Sequence, residues 1–361
     1  MDLPHSLLIS LRPPPEPTIV DAARTTPTPA GAPAQLRAWA RRRTPLPGAR
    51  LILAASGAGL LVGGCFALAI WLRVTRVPLP GPGSKPGGAT YLLVGSDSRR
   101  FVKSTSDILR FGSEATTPSQ RADVIILLRV ERGGRRRVMA VPRDLVVTAR
   151  GDEPTRAAMT LRPGPETTVD AISRSLGIGI DHFILIGMDG LRCLVNAVGG
   201  IAINVDAPVR DVVTGLSITR PGWNHLDGEQ ALAYVRSRHV ERFDEGQWRP
   251  GSTGAEDRSN HAIDVLVQLG SRLRSRAWLP LASARRLWVL AGAVTLDEGA
   301  GPFALLGLAR AAAHLDDVQV VVLPVSFRDG EVPVAILGRD AHNAIATFND
   351  GAPSASPLQR R

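Results

Sequence analysis

Hydrophobic and polar positions divide the chain into three stretches. Residues 1–50 show no helical or strand period and are rich in proline, threonine and arginine, as in Arg12-Pro13-Pro14-Pro15 and Thr25-Thr26-Pro27-Thr28-Pro29. Such a composition cannot bury enough apolar surface to offset chain entropy, so a disordered tail is expected. Residues 51–72 then read LILAASGAGLLVGGCFALAIWL without a charge, and about 20 apolar residues are what a helix needs to cross a bilayer. The length disfavours a buried core helix. A cleaved signal peptide is disfavoured by the position and by the lack of a small-residue cleavage site directly after Trp71-Leu72.

Beyond residue 88, apolar runs alternate with helical spacing. Residues 89–95, 122–130 and 137–141 are continuous apolar runs with β-branched content, which predicts central strands covered on both faces. Residues 166–176 have helical spacing and end at Gly177, a natural helix stop. A strand is predicted at 182–186, a helix at 190–198 stopped by Gly199-Gly200, and a strand at 201–205. Further helices are predicted at 227–236, 257–276 and 302–314, with 318–323 and 332–337 as a closing pair of strands. The alternation predicts an α/β fold, a mixed sheet with helices on its faces. Residues 241–255, with Trp248, Pro250 and several glycines, read as a long loop or flap. The expected organisation is therefore a tail at 1–50, a transmembrane helix at 51–72, a Pro/Gly spacer at 73–88, one α/β/α domain at 89–345, and a disordered tail at 346–361 with no further domain.

Charge fixes an orientation. The formal net charge is +10, nearly all of it arginine, since lysine occurs only at positions 85 and 103. Arg37, Arg41, Arg42, Arg43 and Arg50 crowd the amino-terminal flank of the apolar stretch. The positive-inside rule places residues 1–50 in the cytoplasm and everything after Arg76 outside. Arg135-Arg136-Arg137 lies between two predicted strands and reads as a solvated hairpin turn. No helix-turn-helix, zinc-finger or aromatic RNA-binding pattern occurs, so no nucleic-acid partner is expected. Cys65 lies in the span and Cys193 stands alone outside it, which leaves no disulfide for the outer domain and no Cys/His metal spacing.

Four charged segments lie at the ends of apolar runs: Gly95-Ser96-Asp97-Ser98-Arg99, Arg121-Ala122-Asp123, Pro142-Arg143-Asp144 and Arg236-Ser237-Arg238. Guanidinium forks match phosphate oxygens in pairs, and Asp supplies the hard oxygens that Mg²⁺ prefers, so together these segments suit a pyrophosphate held with a divalent cation. Taken singly, the same residues also fit turns, N-caps, local ion pairs or a cationic helix end. His182 and His239 read as solvated or core-edge residues rather than ligands. No Ser-His or Cys-His nucleophile is evident.

The succession YLLVGSDSR, RADVIILL, VMAVPRD, IDHFILIGMDGLRCLVNAVGGI and HLDGEQALAYVRSRH resembles the LytR-CpsA-Psr family over nearly all of residues 89–270. Members have a short cytoplasmic tail, one span and an extracytoplasmic α/β domain. They move a glycan polymer from a polyprenyl pyrophosphate carrier to peptidoglycan through a phosphodiester. The resemblance implies that Asp97 and Asp123 hold Mg²⁺ (or Mn²⁺), that Asp97, Arg99 and Arg143 form the catalytic end, and that Arg121, Arg236, Arg238 and Arg258 grip the pyrophosphate. Such chemistry is mainly positioning and charge neutralisation, which arginines and a metal supply.

Two departures stand out. Where the family has D-x-G-R-x-x-R-Q, Arg258 matches the first arginine, but His261 replaces the second and Ala262 the glutamine. The K-x-N-A-A stretch appears as Arg156-Ala157-Ala158-Met159-Thr160, keeping the charge and dropping the amide. Both imply a pyrophosphate grip built differently from the family pattern. They also leave open a pyrophosphatase with water as acceptor, or a non-catalytic envelope-regulating protein that binds lipid-linked intermediates.

Overall fold

The computed structural model describes residues 47–79, 83, 87–97, 120–149, 151, 153–251, 255–275, 288, 291–292, 294–312, 314–315, 318–328 and 334–351. The first element is helix α1 (Pro47–Arg73), of which Ala55–Arg73 is long and apolar enough to cross a membrane and has none of its side chains buried in the protein. At its base the Arg76 guanidinium lies 3.8 Å over the Trp71 ring, and Arg73 Nε donates to the Trp288 carbonyl at 2.9 Å.

The residues after the helix join a sheet rather than forming only a spacer. Strand β1 (Thr75–Val77), within the stretch expected as a linker, forms one edge of the sheet by pairing in parallel with a strand late in the chain. The main strands follow as β2 (Gly88–Ser96), β3 (Ala122–Glu131) and β4 (Arg136–Ala140). The short hairpin β5 (Val146–Thr148) and β6 (Pro154–Arg156) leads through a 3-10 turn to α2 (Pro165–Leu176). Then come β7 (His182–Gly187), α3 (Met188–Ala197), β8 (Ile201–Val205), β9 (Val209–Asp211), β10 (Leu216–Ile218), β11 (Gly222–Leu226) and α4 (Gly228–Arg236). The remaining elements are β12 (Glu241–Asp244), β13 (Gln247–Pro250), α5 (Ala255–Ser275), β14 (Val294–Asp297), α6 (Pro302–Ala312), β15 (Gln319–Val321), β16 (Val325–Arg328), β17 (Val334–Leu337) and α7 (Ala341–Asp350).

Among the described residues the central sheet has seven strands in the order β1-β14-β7-β2-β3-β4-β15. Its strands alternate cleanly. Tyr91, Ile126, Leu128 and Ile184 face one cluster, with α3, α4 and α5, while Leu92, Ile125, Leu127 and Phe183 face a second, with α2 and α7. This is why the strands read as continuous apolar runs: both faces are covered.

Strand direction decides where function can sit. β2 and β7 run in parallel, with Ser96 opposite Gly187, so they release the chain at one end of the sheet. β14 runs against β7 and starts at that end, Val294 opposite Ile186, and β1 starts there too, Thr75 opposite Thr295. The chain therefore enters the sheet from α1 at the end where β2 and β7 leave it.

Four expectations are corrected. Residues 318–323 and 332–337 are not partners: β15 joins β4 in parallel at the sheet edge, and β17 pairs with β16. Residues 241–250 are the hairpin β12–β13 in a four-stranded sheet, turned through Glu245 and Gly246 at positive φ. The arginine run is not all solvated: Arg137 is 2% exposed and paired with Glu131. Residues 346–350 belong to α7, because Phe348 packs into the second core cluster before Gly351 ends the helix in a left-handed turn.

Candidate active site

β2 ends on Gly95-Ser96, and there its register with β3 shifts: Gly95 lies opposite Val124, while Ser96 lies opposite Ala122. Asp123 is the extra residue of this bulge, a feature that re-aims a side chain beside many active sites. Gly95 fits the close approach, since a Cβ there would sit 3.1 Å from the Val124 Cβ. Asp97 follows directly and is 7% exposed. Its Oδ1 accepts from the Arg121 backbone N–H at 3.0 Å, and its Oδ2 from Arg121 Nε and Nη2 at 3.2 and 3.1 Å.

The turn after β4 brings Arg143 to the bulge. Arg143 pairs with Asp123, and its Nε lies 3.5 Å from Asp144, which is also 3.8 Å from Arg156. Charges thus alternate along Asp123, Arg143, Asp144 and Arg156. The turn is fixed from behind, because the Arg143 and Leu145 carbonyls accept from the Ala158 and Ala157 N–H groups, both at 2.8 Å.

Helix α4 delivers the fourth segment. Its start is set by a capping box in which Asp227 and Gln230 satisfy each other's backbone N–H. It ends at Ser237, whose hydroxyl donates to the Ala233 carbonyl at 2.8 Å. Ser237 is buried, Arg236 before it is half-buried and lines a cavity, and Arg238 after it is exposed.

Ser96, Asp97, Asp123 and Arg236 line the mouth of a cavity of about 340 Å³ between β2, β3, β7 and helices α3–α6. Every other lining residue is apolar or glycine, among them Ile126, Ile184, Leu191, Leu232, Leu266 and Leu308. At its floor α5 and α6 meet backbone to backbone, and a Cβ on Gly270 would land on the Ala312 carbonyl. The N-terminus of α3, at Gly187 and Met188, also opens on the cavity and adds partial positive charge. One polar mouth on an apolar barrel suits an amphiphile with an anionic head.

Of the residues singled out in the sequence, Asp97, Asp123 and Arg236 meet at the mouth, with Arg121 and Arg143 bound to the two carboxylates. Arg238 is exposed on the adjoining segment. Arg99 and the Arg258 side chain lie outside the described residues. Of the two substituted positions after Arg258, Ala262 lines the cavity, and the His261 ring packs 4.0 Å from Tyr234 with its Nδ1 3.1 Å from the Tyr234 carbonyl. His182 stacks on Tyr91 and faces Asp297 at the other end of β7, away from the mouth.

Asp211 escaped the sequence reading. It is 0% exposed and accepts four backbone N–H groups: Val213 and Thr214 on Oδ1 at 2.9 and 3.2 Å, Arg238 and His239 on Oδ2 at 2.9 and 3.1 Å. Burial pushes its carboxyl up, but the N–H bonds from His239, Arg238, Thr214 and Val213 outweigh that and hold it below the usual carboxylate range. The available signal was Asp211-Val212-Val213-Thr214-Gly215, a turn-forming composition between short strands.

The fold has known counterparts. Residues 79–249 match the LytR_cpsA_psr (LytR-CpsA-Psr) family. A LytR-Csp2A-Psr enzyme from Actinomyces oris is 31% identical and superposes with a TM-score of 0.61 over 77% of this chain and 96% of its own. The chain belongs to the LytR-CpsA-Psr family. Among curated members, the probable cell wall biosynthesis protein LcpB of Corynebacterium glutamicum is 38% identical over 42% of this chain and 36% of its own length. The polyisoprenyl-teichoic acid–peptidoglycan teichoic acid transferase TagV of Bacillus subtilis is 30% identical over 41% of this chain and 38% of its own. The chain thus spans little more than a third of the length of these two relatives.

Proposed function

We propose that this LytR-CpsA-Psr protein is a membrane-anchored phosphotransferase that moves a glycopolymer from a polyprenyl pyrophosphate carrier to peptidoglycan. The observation that carries the reading is the cavity: four polar side chains at one mouth and an otherwise apolar barrel. The isoprenoid tail lies in the barrel, and the pyrophosphate stays at the mouth among Arg236, Arg121 and Arg143. The exposed Arg238 adds to this basic surround, and the same role for Arg99 and Arg258 rests on the sequence resemblance alone. The names of the relatives, which include a teichoic acid transferase, agree with this reading.

In the reaction a hydroxyl oxygen of the acceptor glycan attacks the sugar-bound phosphorus. The bond from that phosphorus to the bridging oxygen breaks, and polyprenyl monophosphate leaves. The acceptor's proton passes to solvent, and the glycan ends on a phosphodiester. The arginines orient the two phosphoryl groups and balance charge on the leaving phosphate, the main work in phosphoryl transfer.

The donor set at the mouth fits a small hard cation. Asp97 and Asp123 are two carboxylates on neighbouring strands, and Mg²⁺ is commonly held by one or two carboxylates together with substrate phosphates rather than by an all-protein cage. Among the described residues no cluster of three Asp, Glu, His or Cys competes for that part. When bound, the cation would neutralise pyrophosphate charge. The apolar α1 supports a single span, with residues 1–50 cytoplasmic and the sheet domain outside.

The test is transfer from a polyprenyl-pyrophosphate-linked glycan to peptidoglycan by the full chain in lipid nanodiscs. Asp97→Ala and Arg236→Ala should each abolish product while circular dichroism stays unchanged. Undiminished transfer by both variants overturns the proposal.

A further inference from the structure

The turn joining β9 to β10 presents two consecutive aliphatic side chains to solvent, Val212 at 80% and Val213 at 78% exposure. The turn is tightly built. The Gly215 N–H donates to the Asp211 carbonyl at 2.9 Å, with Gly215 at positive φ, and the Thr214 hydroxyl lies 3.0 Å from that of Ser237. A hairpin tip needs no apolar side chains for its own stability, and in water two adjacent valines gain nothing from burial. Something other than the fold accounts for them.

Position narrows the choice. Through Oδ2 of Asp211 the turn is fastened to Arg238 and His239, directly after the Arg236 that lines the mouth. The mouth lies where β2 leaves the sheet, and the chain enters from the apolar helix α1 at that same end. Thr75 is level with Val94 across three strand spacings. Strand rise and spacing put Thr75 and Asp97 roughly 17 Å apart. Around the turn, Arg238 is exposed, while Arg210 and Arg242 carry Glu241 and Asp206 as partners. With those two arginines neutralised, the exposed Arg238 leaves an apolar tip beside one net positive charge, which is complementary to anionic headgroups over acyl chains.

We propose that this end of the sheet rests on the bilayer and that Val212 and Val213 insert into the headgroup region. The mouth is thereby seated on the surface from which a lipid-linked substrate is drawn. The identity of that substrate rests on the function proposed above; the membrane contact does not.

The test uses the full chain with Cys65→Ser and Cys193→Ser, reconstituted in vesicles of phosphatidylglycerol and phosphatidylethanolamine. A nitroxide is attached at Val213→Cys, or at Arg132→Cys in the β3–β4 turn at the opposite end of the sheet. The label at 213 should collide more with oxygen than with a water-soluble nickel chelate, and the label at 132 should do the reverse. Water-like collisions at both positions overturn the proposal, as does shielding of position 213 from both reagents, the mark of a protein partner. Separately, Val212→Ser with Val213→Ser should raise KM for a carrier embedded in vesicles on the order of tenfold, the loss of about one buried valine, with kcat unchanged. A short-chain, water-soluble carrier should be used as before, and an equal rise for both carriers overturns the proposal. If neither carrier is turned over by the unaltered chain, the transfer reading fails and the nitroxide result alone decides the membrane contact.

Discussion

Asp97 and Arg121 hold each other through backbone and side chain at once: each backbone N–H donates to the other residue, at 3.4 and 3.0 Å, and the guanidinium closes on the carboxylate at 3.1 Å. A cation at Asp97 must therefore displace a guanidinium that a pyrophosphate would also attract. Mg²⁺ and pyrophosphate should consequently bind with positive coupling, each tightening the other by the same factor. Calorimetric titration of Mg²⁺ with and without geranyl pyrophosphate should show at least about tenfold tighter binding in its presence, a coupling of the usual allosteric size. Equal affinity in both titrations would show that Arg121 does not guard the site.

Arg143 is mostly buried between Asp123 and Asp144. Arg143→Ala strands two carboxylates and should cost about 2–4 kcal/mol in urea unfolding, the range for breaking a partly buried pair. Arg143→Lys should recover only part of this, because an ammonium lacks the planar fork that spans both partners. Full recovery by lysine would reduce the role of Arg143 to charge alone.

The depressed carboxyl of Asp211 sets a pH dependence. Because its folded value lies below its unfolded value of about 4, its contribution is complete above that pH and fades as pH falls through the folded value. Asp211→Asn keeps one oxygen but turns an amide donor toward two N–H groups, and should cost about 1–3 kcal/mol at pH 7. The deficit should shrink at pH 3. A deficit constant from pH 7 to pH 3 would mean that the charge of Asp211 contributes nothing.

Leu269 lines the cavity toward its floor at Gly270. Leu269→Trp should fill the barrel and lower kcat/KM for long-tailed carriers by about tenfold, while a carrier with a two-isoprene tail is spared. Uniform loss across tail lengths would instead mean that the helices have moved.

Much of this architecture was legible from the chain. The central strands announced themselves because residues such as Leu92 and Ile125 on one face and Tyr91 and Ile126 on the other are all apolar, and α2 ended where Gly177 takes left-handed φ. The convergence of Asp97, Asp123 and Arg236 was readable because each charged residue stands where an apolar strand or helix ends, and these ends meet at one cavity. What escaped was set by pairing across distance. β1 and β14 are short and acquire strand character from distant partners, β1 from β14 and β14 from β7. β16 and β15 are separated by three residues, and nothing in Val318–Phe327 marks which half meets β4. Asp211 hid because its importance lies in four backbone N–H groups from two separate segments, which leave no pattern of side chains.

The bulge at Asp123 has one further consequence. Along β3, odd and even positions divide the molecule: Ile125 and Leu127 serve one core, Ile126 and Leu128 the other. At Asp123 the count slips by one, so that Asp123 and Val124 both face the cavity. Without Asp123, Ala122 and Val124 would already lie on opposite faces, so deleting that one residue would leave both cores in register and remove only the carboxylate from the mouth. The bulge thus adds a carboxylate to the mouth while the division between the two cores runs on past it unbroken.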